Sequence, residues 1–411
     1  MHDHRLIRGV EHALGWAGPS ALGTQFVRGK LTNPELVTRL LTPRRLLDVL
    51  MRRSLLPPQV RCLTNGIELH PRDYIDQVTS RRGQAIPMVD MHRLGQLLES
   101  GCTLVVDAIN RWDATMEVAC RSWQWWAKER VQVNTYLTTQ ATPGFGLHWD
   151  DHDVIIVQLA GDKRWDVCTP SRPAPMYRDA APNSEPSNER VWSGTLTAGD
   201  VMHIPRGYWH RATRTAHGAG YSLHVTFGIE QRTGVDWLTW LADRSREHEV
   251  FRHDLLRCGP QEQCAQARAL AEAACLLVTS ASPEEFLALR EQQQPSSRRV
   301  CTRKVFGPPT AVACITDFSP HLHLCGDTIT VLSSGKKIIV AAKAEPVLRM
   351  LLCGHPVDLA TVNAATGVDA AKLADVLIEE GLCAEVTDEL LSGYTGLTPN
   401  DDSWKRPSLS G

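Results

Sequence analysis

From Val131 to Gln231 the chain reads as a succession of strand-length segments, and that cadence constrains its fold more than any other feature. VQVNTYLTT comes first, GFGLHWDDHDVIIVQLAGDKRWDVCTP comes next, and LTAGDVMHIPRGYWHRAT and SLHVTFGI close the stretch. Each segment is apolar or alternating and is bounded by Gly, Pro or Asp, the pattern of an antiparallel β-sandwich or small barrel. In LAGDKRW the Gly-Asp pair signals a turn between a strand VIIVQL and a strand RWDVC. Within VQVNTYLTT, Gln132, Asn134, Tyr136 and Thr138 alternate with Val131, Val133, Thr135 and Leu137. Ser222, His224 and Thr226 likewise share one face, opposite Leu223, Val225 and Phe227. A polar face of this kind either meets solvent or lines a ligand cavity inside a small barrel.

Two histidines and an aspartate stand out within this frame. Residues two apart on a strand point the same way, so HWD projects the imidazole of His148 and the carboxylate of Asp150 together. His210 enters from a later strand, just past the PRGYW turn. An isolated HxD is weak in a chain with 16 histidines, since most buried histidines satisfy a hydrogen bond and no more. Context carries it further: the HxD follows a Gly-containing loop and opens a hydrophobic strand, and His210 follows a strand and a Pro-Gly turn. Two neutral imidazoles and one carboxylate on one side of a cation leave the opposite positions open, as in non-heme Fe(II) sites. His152 and His203 lie near these residues in sequence and are the alternatives to them as metal ligands.

HWDDHDVIIVQLAGDKRW, GDVMHIPRGYWHRA and SLHVTFGI together resemble the signature of the JmjC-type, cupin-fold 2-oxoglutarate oxygenases, in particular the ribosomal oxygenases of bacterial cupin-4 type. The resemblance implies that His148, Asp150 and His210 hold Fe(II), and that Lys163 pairs with the distal carboxylate of 2-oxoglutarate. It matches the family's Asn and Tyr before the HxD to Asn134 and Tyr136, and its last-strand hydroxyl to Thr226, all as co-substrate contacts. It implies O2 as the oxidant and hydroxylation of a C–H bond as the reaction. Taken alone, a lysine in a Gly-Asp turn is a solvated hairpin charge; the resemblance places Lys163 inside. The sequence has no GxSxG and no Cys/His nucleophile arrangement.

At 411 residues the chain exceeds what a single core usually supports, so several folding units are expected. The fold class expected is α+β: a double-stranded β-helix, then a helical bundle, then a winged-helix-like module. The boundaries read as 1–85 for helices and strands leading into the barrel, 86–235 for the catalytic domain and 236–300 for helices. They continue with 301–390 for the winged-helix-like module and 391–411 for a flexible tail. PELVTRLLTPRRLLDVLMRRSLL reads as two short amphipathic helices whose Arg44, Arg45, Arg52 and Arg53 either meet an acidic partner or are solvated. PPQVRCLTNGIELHPRDYI reads as strand, Asn-Gly turn and strand, Met91 to Ser100 as a helix, GCTLVVDAI as a buried strand. Asp113 to Glu129 reads as a helix whose Trp123, Trp125 and Trp126 are packing residues. The interval from Pro170 to Val191, rich in Pro, Ser and Asn, lacks periodicity and is either the mouth of the site or a surface excursion.

Helical periodicity resumes after Gln231, and by resemblance this segment mediates a homodimer. Beyond residue 300 the order is strands, helix, helix, Gly turn, helix and strand. Asp369 to Glu380 carries Asp369, Asp375, Glu379 and Glu380 against Lys372, the wrong sign for a DNA-recognition helix; no nucleic-acid partner is expected. The net charge is −2, which implies no global affinity for nucleic acid or membrane. The 12 cysteines have no CxxC pair and read as reduced thiols of a cytoplasmic protein, and no stretch has the apolar length of a membrane span.

Three functions fit these residues. One is a 2-oxoglutarate-dependent hydroxylase of a protein or peptide side chain, the family-implied target being Arg or His of a ribosomal protein. Another is a tailoring hydroxylase of a small peptide or natural-product intermediate. The last is a non-catalytic metal-binding cupin, against which Lys163 argues, because a bare structural metal site has no use for a co-substrate anchor.

Overall fold

A computed structural model describes residues 3–139, 144–178, 183–214, 220–298 and 305–398. The N-terminal part runs α1 (Arg5–Leu14), β1 (Val27–Lys30), α2 (Glu35–Leu40), α3 (Pro43–Arg52), β2 (Val60–Thr64) and β3 (Ile67–Glu68). It continues through the hairpin β4 (Ile75–Thr79) and β5 (Ala85–Val89), α4 (Met91–Ser100), β6 (Thr103–Val106) and α5 (Ala114–Ala127). The helix pair, the Asn-Gly turn and the Trp-rich helix lie where the sequence puts them. Asp113 caps α5, accepting from Met116 N, and Thr42 caps α3. Trp123 is fully buried.

The barrel strands are β7 (Arg130–Thr138), β8 (Asp153–Pro170), β9 (Pro186–Thr197), β10 (Asp200–Ile204), β11 (Trp209–Thr213) and β12 (Ser222–Glu230). The main antiparallel sheet has the order β1-β10-β8-β12-β7-β6-β2-β3, and β9 and β11 pair with the other end of β8. The strand reading needs one substantial correction: Gly161-Asp162 is not a hairpin turn. β8 runs unbroken for 18 residues, pairing through Gly161 with β12 and from Asp162 onward with β9. Gly161 has φ +62°, and a Cβ there would lie 1.8 Å from Tyr221 O, so only glycine lets the strand bend between two sheets at this point. The interval expected to be irregular up to Val191 is shorter, because β9 already begins at Pro186.

The two faces of β8 go to different cores. Ile155 and Val157 join α1, α3 and α5 in the largest cluster, with Leu6, Leu46, Trp123 and Phe227. Val154 and Ile156 face inward with Trp165, Val167, Met202 and Ile204. One strand therefore closes the outer core and lines the barrel interior, as a period of two requires.

Beyond the barrel come α6 (Gly234–Ser245), α7 (Glu249–Arg252), α8 (Pro260–Ser280) and α9 (Pro283–Gln293). Next are β13 (Ala311–Cys314), the meander β14 (His321–Cys325), β15 (Thr328–Ser333) and β16 (Lys336–Ala341), and α10 (Glu345–Leu351). The last elements are β17 (Pro356–Asp358), α11 (Leu359–Thr366), α12 (Ala370–Glu379), β18 (Cys383–Glu385) and α13 (Asp388–Tyr394). The tail expected from residue 391 instead begins within α13, with Tyr394 and Leu397 buried. Residues 399–411 of that tail lie outside the described residues. No helix among the described residues is long and apolar enough to cross a membrane.

Candidate active site

His148 and His210 are brought together by the backbone itself. His148 N donates to His210 O at 3.1 Å and His210 N to His148 O at 2.7 Å, an isolated antiparallel bridge at the barrel mouth. Each imidazole is turned by the same device: Nδ1 of His148 lies 2.8 Å from Gly146 O and Nδ1 of His210 lies 3.0 Å from Tyr208 O. A ring that donates through Nδ1 keeps the lone pair on Nε2, which is how a metal-binding histidine is oriented. Asp150 Oδ2 is 3.4 Å from His210 Nε2, and ligand atoms of all three residues lie within 4.8 Å of one another. The Asp150 backbone is fixed in turn, its carbonyl accepting from Gly207 N at 3.0 Å. Burial, reinforced by His148, pushes His210 down to about 4 despite the opposing pull of Asp150, so this imidazole is neutral and free to ligate at ordinary pH.

His152 and His203 stand apart from the cluster found among the described residues. His152 lies over Gly228, where a Cβ would come within 2.8 Å of its Nε2. His203 points to the other side of the sheet, its Nδ1 3.0 Å from Gln25 O and its Nε2 3.6 Å from Asp153 Oδ2. Asp153 Oδ1 accepts from Arg206 N at 2.7 Å. The start of β8 is thereby tied to the turn that delivers His210.

A cavity of about 270 Å³ opens from the three ligands, and Lys163, Asn134, Tyr136 and Thr226 all line it. Lys163 is 2% exposed, and its Nζ is 3.2 Å from Thr138 Oγ1, which is 3.1 Å from Thr103 Oγ1. No acid pairs with Lys163 among the described residues, and burial pushes its ammonium down to about 7. The hydroxyl that accepts from Lys163 is that of Thr138. Asn134 Oδ1 already accepts from Ala108 N at 3.0 Å and Gln132 Nε2 at 2.9 Å, and Thr226 is its cross-strand partner. His224 stacks on Tyr136 with ring centroids 4.7 Å apart and meets Trp165 edge-on. Its Nδ1 is buried without a hydrogen-bond partner, and burial and Lys163 together hold it well below the usual histidine range.

Several lining residues escape the sequence reading. Thr138 is visible there only as the last member of the polar face, and Trp165 only as the residue two along from Lys163. Arg61 and Asp107 come from the strands before β7; Arg61 Nη2 lies 2.8 Å from Asp107 Oδ2, and its guanidinium sits over Phe145. Nothing local in the sequence marks either as a site residue, because sheet order alone brings β6 beside β7 and β2 beside β6.

Residues 110–235 match the JmjC domain family. The chain carries a JmjC domain. Over 204 residues it is 27% identical to the bifunctional lysine-specific demethylase and histidyl-hydroxylase NO66 of Drosophila erecta, covering 49% of this chain and 29% of that protein. It is 30% identical over 153 residues to ribosomal oxygenase 1 of Gallus gallus, covering 36% of this chain and 24% of that protein. The chain thus spans less than a third of the length of these curated relatives. The fold is similar to that of the ribosomal oxygenase YcfD of Escherichia coli, with a TM-score of 0.52 at 16% identity over 89% of this chain and 95% of that one. Another YcfD structure, at a TM-score of 0.50, is a complex with cobalt and 2-oxoglutarate. The three candidate metal ligands and Lys163 fall within the matched residues, whereas Arg61, Thr103 and Asp107 of the cavity wall precede them.

Proposed function

We propose that this chain is an Fe(II)- and 2-oxoglutarate-dependent hydroxylase acting on a side chain of a protein or peptide. The observation that carries the reading is that three convergent ligands share one small cavity with a buried lysine that no acid among the described residues neutralises. The donor set fits Fe(II): two imidazole nitrogens and one carboxylate oxygen on one side, with room opposite. A buried, uncompensated ammonium is costly, and a carboxylate of 2-oxoglutarate would restore its charge through a charge-assisted hydrogen bond. Orphaned Nδ1 of His224 sits beside the same place.

In this reading His148, Asp150 and His210 hold the metal, and Lys163 and Thr138 fix the far end of the co-substrate. Bound Fe(II) and 2-oxoglutarate would supply the chemistry of the family: O2 is consumed, 2-oxoglutarate yields succinate and CO2, and one oxygen atom enters a C–H bond. The protein's own part is orientation and exclusion of water. Trp165, Phe145, Val154 and Ile156 supply the apolar wall, while Asn134, Tyr136 and Thr226, the expected co-substrate contacts, line the part of the cavity where co-substrate and substrate side chain would meet. Names such as histidyl-hydroxylase and ribosomal oxygenase among the relatives support a basic side chain of a ribosomal protein as the target. The exposed Val235, Leu238 and Leu276 of α6 and α8 support packing against a second copy, which light scattering would measure. The C-terminal module is read as a winged-helix-like interaction element.

Anaerobic addition of Fe(II) and 2-oxoglutarate should give a weak visible charge-transfer band, lost in His148→Ala and His210→Ala. Folded, metal-loaded protein with no band would refute the assignment. Mass spectrometry of a host lysate exposed to the enzyme should then find a 2-oxoglutarate-dependent gain of one oxygen.

A further inference from the structure

Two cavities adjoin along the polar face of β7, and a third meets the second at Arg130, at the start of the strand. The metal cavity shares Asn134, Tyr136, Asp150 and Thr226 with a second of about 200 Å³, which runs past Gln132 to Arg130 and Glu230. Arg130 in turn borders a third, of about 590 Å³, between α5 and the segment 294–298. The alternation of β7 puts Thr138, Tyr136, Asn134, Gln132 and Arg130 on the same face, so this is a continuous polar track with Lys163 at one end and Arg130 at the other.

The charges along the track are uneven. In the third cavity the acids are already engaged: Glu117 with Arg121 at 2.5 Å and Arg298 at 3.2 Å, and Asp317 with Ser297 N at 2.9 Å and its hydroxyl at 2.6 Å. Glu230, opposite Arg130 across the sheet, is drawn to Arg232 at 3.0 Å. Arg111 and Arg130 are both exposed and have no ion-pair partner among the described residues. Two open guanidiniums thus stand at the far end of a groove that begins at the metal ligands.

We infer that Arg130 and Arg111 form a subsite for an acidic residue of the polypeptide substrate, remote from the side chain that is oxidised. The inference rests on the hydroxylase reading for its direction: a polypeptide whose target side chain enters beside Asn134 and Tyr136 must leave over one face of the sheet, and this face is open and ends at the two exposed guanidiniums. Tyr136 and Arg130 are six positions apart along β7, a span of about 20 Å at roughly 3.3 Å per residue. An extended substrate would therefore place its Asp or Glu about five to seven positions from the oxidised residue. Arginine suits this task because its planar fork matches a carboxylate.

The test uses the full chain and fluorescein-labelled synthetic peptides with a central His or Arg in a Ser/Gly background. A single Glu is moved from about three to about eight positions away on either side, and binding is read by anisotropy. Affinity should peak near six positions on one side, about fivefold tighter than with Ser there, as expected for roughly 1 kcal/mol from a charge pair. In the double variant Arg111→Glu/Arg130→Glu the preference should invert, with Lys at that position favoured over Glu; a misfolded protein could not produce such a gain. A profile flat in position, including no binding of any peptide, overturns the subsite. So does a double variant that keeps the Glu preference, or tight binding of a short single-stranded oligonucleotide without peptide preference. Succinate release by the unmodified chain is measured separately, so loss of the hydroxylase reading is told apart from loss of the subsite.

Discussion

At Lys163 an ammonium has been carried into the barrel with one hydroxyl for company, and that isolation governs its titration. An ordinary lysine stays charged to about pH 10, whereas here burial moves the midpoint to about 7. A dianionic co-substrate binds the charged form, so in the free protein each unit of pH above about 7 removes roughly tenfold from the competent fraction. Affinity for 2-oxoglutarate should therefore fall as pH rises from 6.5 to about 8.5, and Lys163→Arg, whose charge does not titrate in this range, should flatten the dependence. Anaerobic titration of the charge-transfer band across that range measures both, and a flat profile for the unmodified chain would contradict a neutral lysine in the free site. Lys163→Ala should weaken co-substrate binding while metal content stays intact; metal loss in that variant would mean that the residue supports the triad instead. Thr138→Val removes the hydroxyl at 3.2 Å and should cost about 1 kcal/mol of co-substrate binding, near fivefold. Lys163 could be assigned from the sequence only through its resemblance to a family. Thr138 was within reach of the alternation in VQVNTYLTT, but one face of a strand does not reveal which of its hydroxyls meets an ammonium delivered by a different strand.

At the scale of elements, the strand pattern was legible and the bend was not. Gly-Asp between two apolar runs is the ordinary mark of a hairpin, yet here it is the point where one strand passes from the larger sheet to the smaller. The difference is non-local: it lies in the approach of Tyr221, which no window around Gly161 contains. Val154 to Val157 reads as an undivided apolar run because both faces are covered, the outer by the helices and the inner by the barrel. The polar face of β7, by contrast, was open to either a solvent or a cavity reading, and both apply: Asn134 and Tyr136 line the cavity and Thr138 is buried against Lys163, while Gln132 and Arg130 are exposed. Gly161→Ala should be strongly destabilising, by about 3 kcal/mol, because it combines positive φ with a Cβ 1.8 Å from a carbonyl oxygen. Urea unfolding measures the loss. Protein that remains folded should lose affinity for 2-oxoglutarate before it loses metal, since the bend sets Lys163 two residues later while His148 and Asp150 precede the strand. Equal losses of both would show that the bend positions the whole barrel rather than its lysine.

Across the whole molecule, α5 is the member that couples the JmjC domain to the C-terminal module. Trp123 belongs to the barrel-side core, while Val118 and Trp125 belong to the C-terminal one, and Trp125 Nε1 donates to Thr316 O at 2.9 Å. The returning end of the chain completes the joint: Arg121 donates to the Tyr394 hydroxyl at 2.9 Å, and Leu397 O accepts from Arg5 N at 2.8 Å. A polar, Gly-punctuated end reads as a loose tail because its few apolar residues are spaced too widely to show a period. Their burial depends on surfaces built hundreds of residues earlier. Ending the chain at Val386 would remove Leu390, Tyr394 and Leu397, each worth about 2 kcal/mol of burial, and should leave protein that is insoluble or unfolds without cooperativity. Tyr394→Phe keeps the ring and removes one of the two acceptors of buried Arg121, the other being Glu117, so it should cost about 1 to 3 kcal/mol and lower the melting temperature by several degrees. Its charge-transfer band with Fe(II) and 2-oxoglutarate should be unchanged, because the triad hangs on β8, the PRGYW turn and the loop before them. A shifted or missing band in a folded Tyr394→Phe variant would mean that the C-terminal module reaches the metal through α5, and the barrel could no longer be treated as holding its site alone.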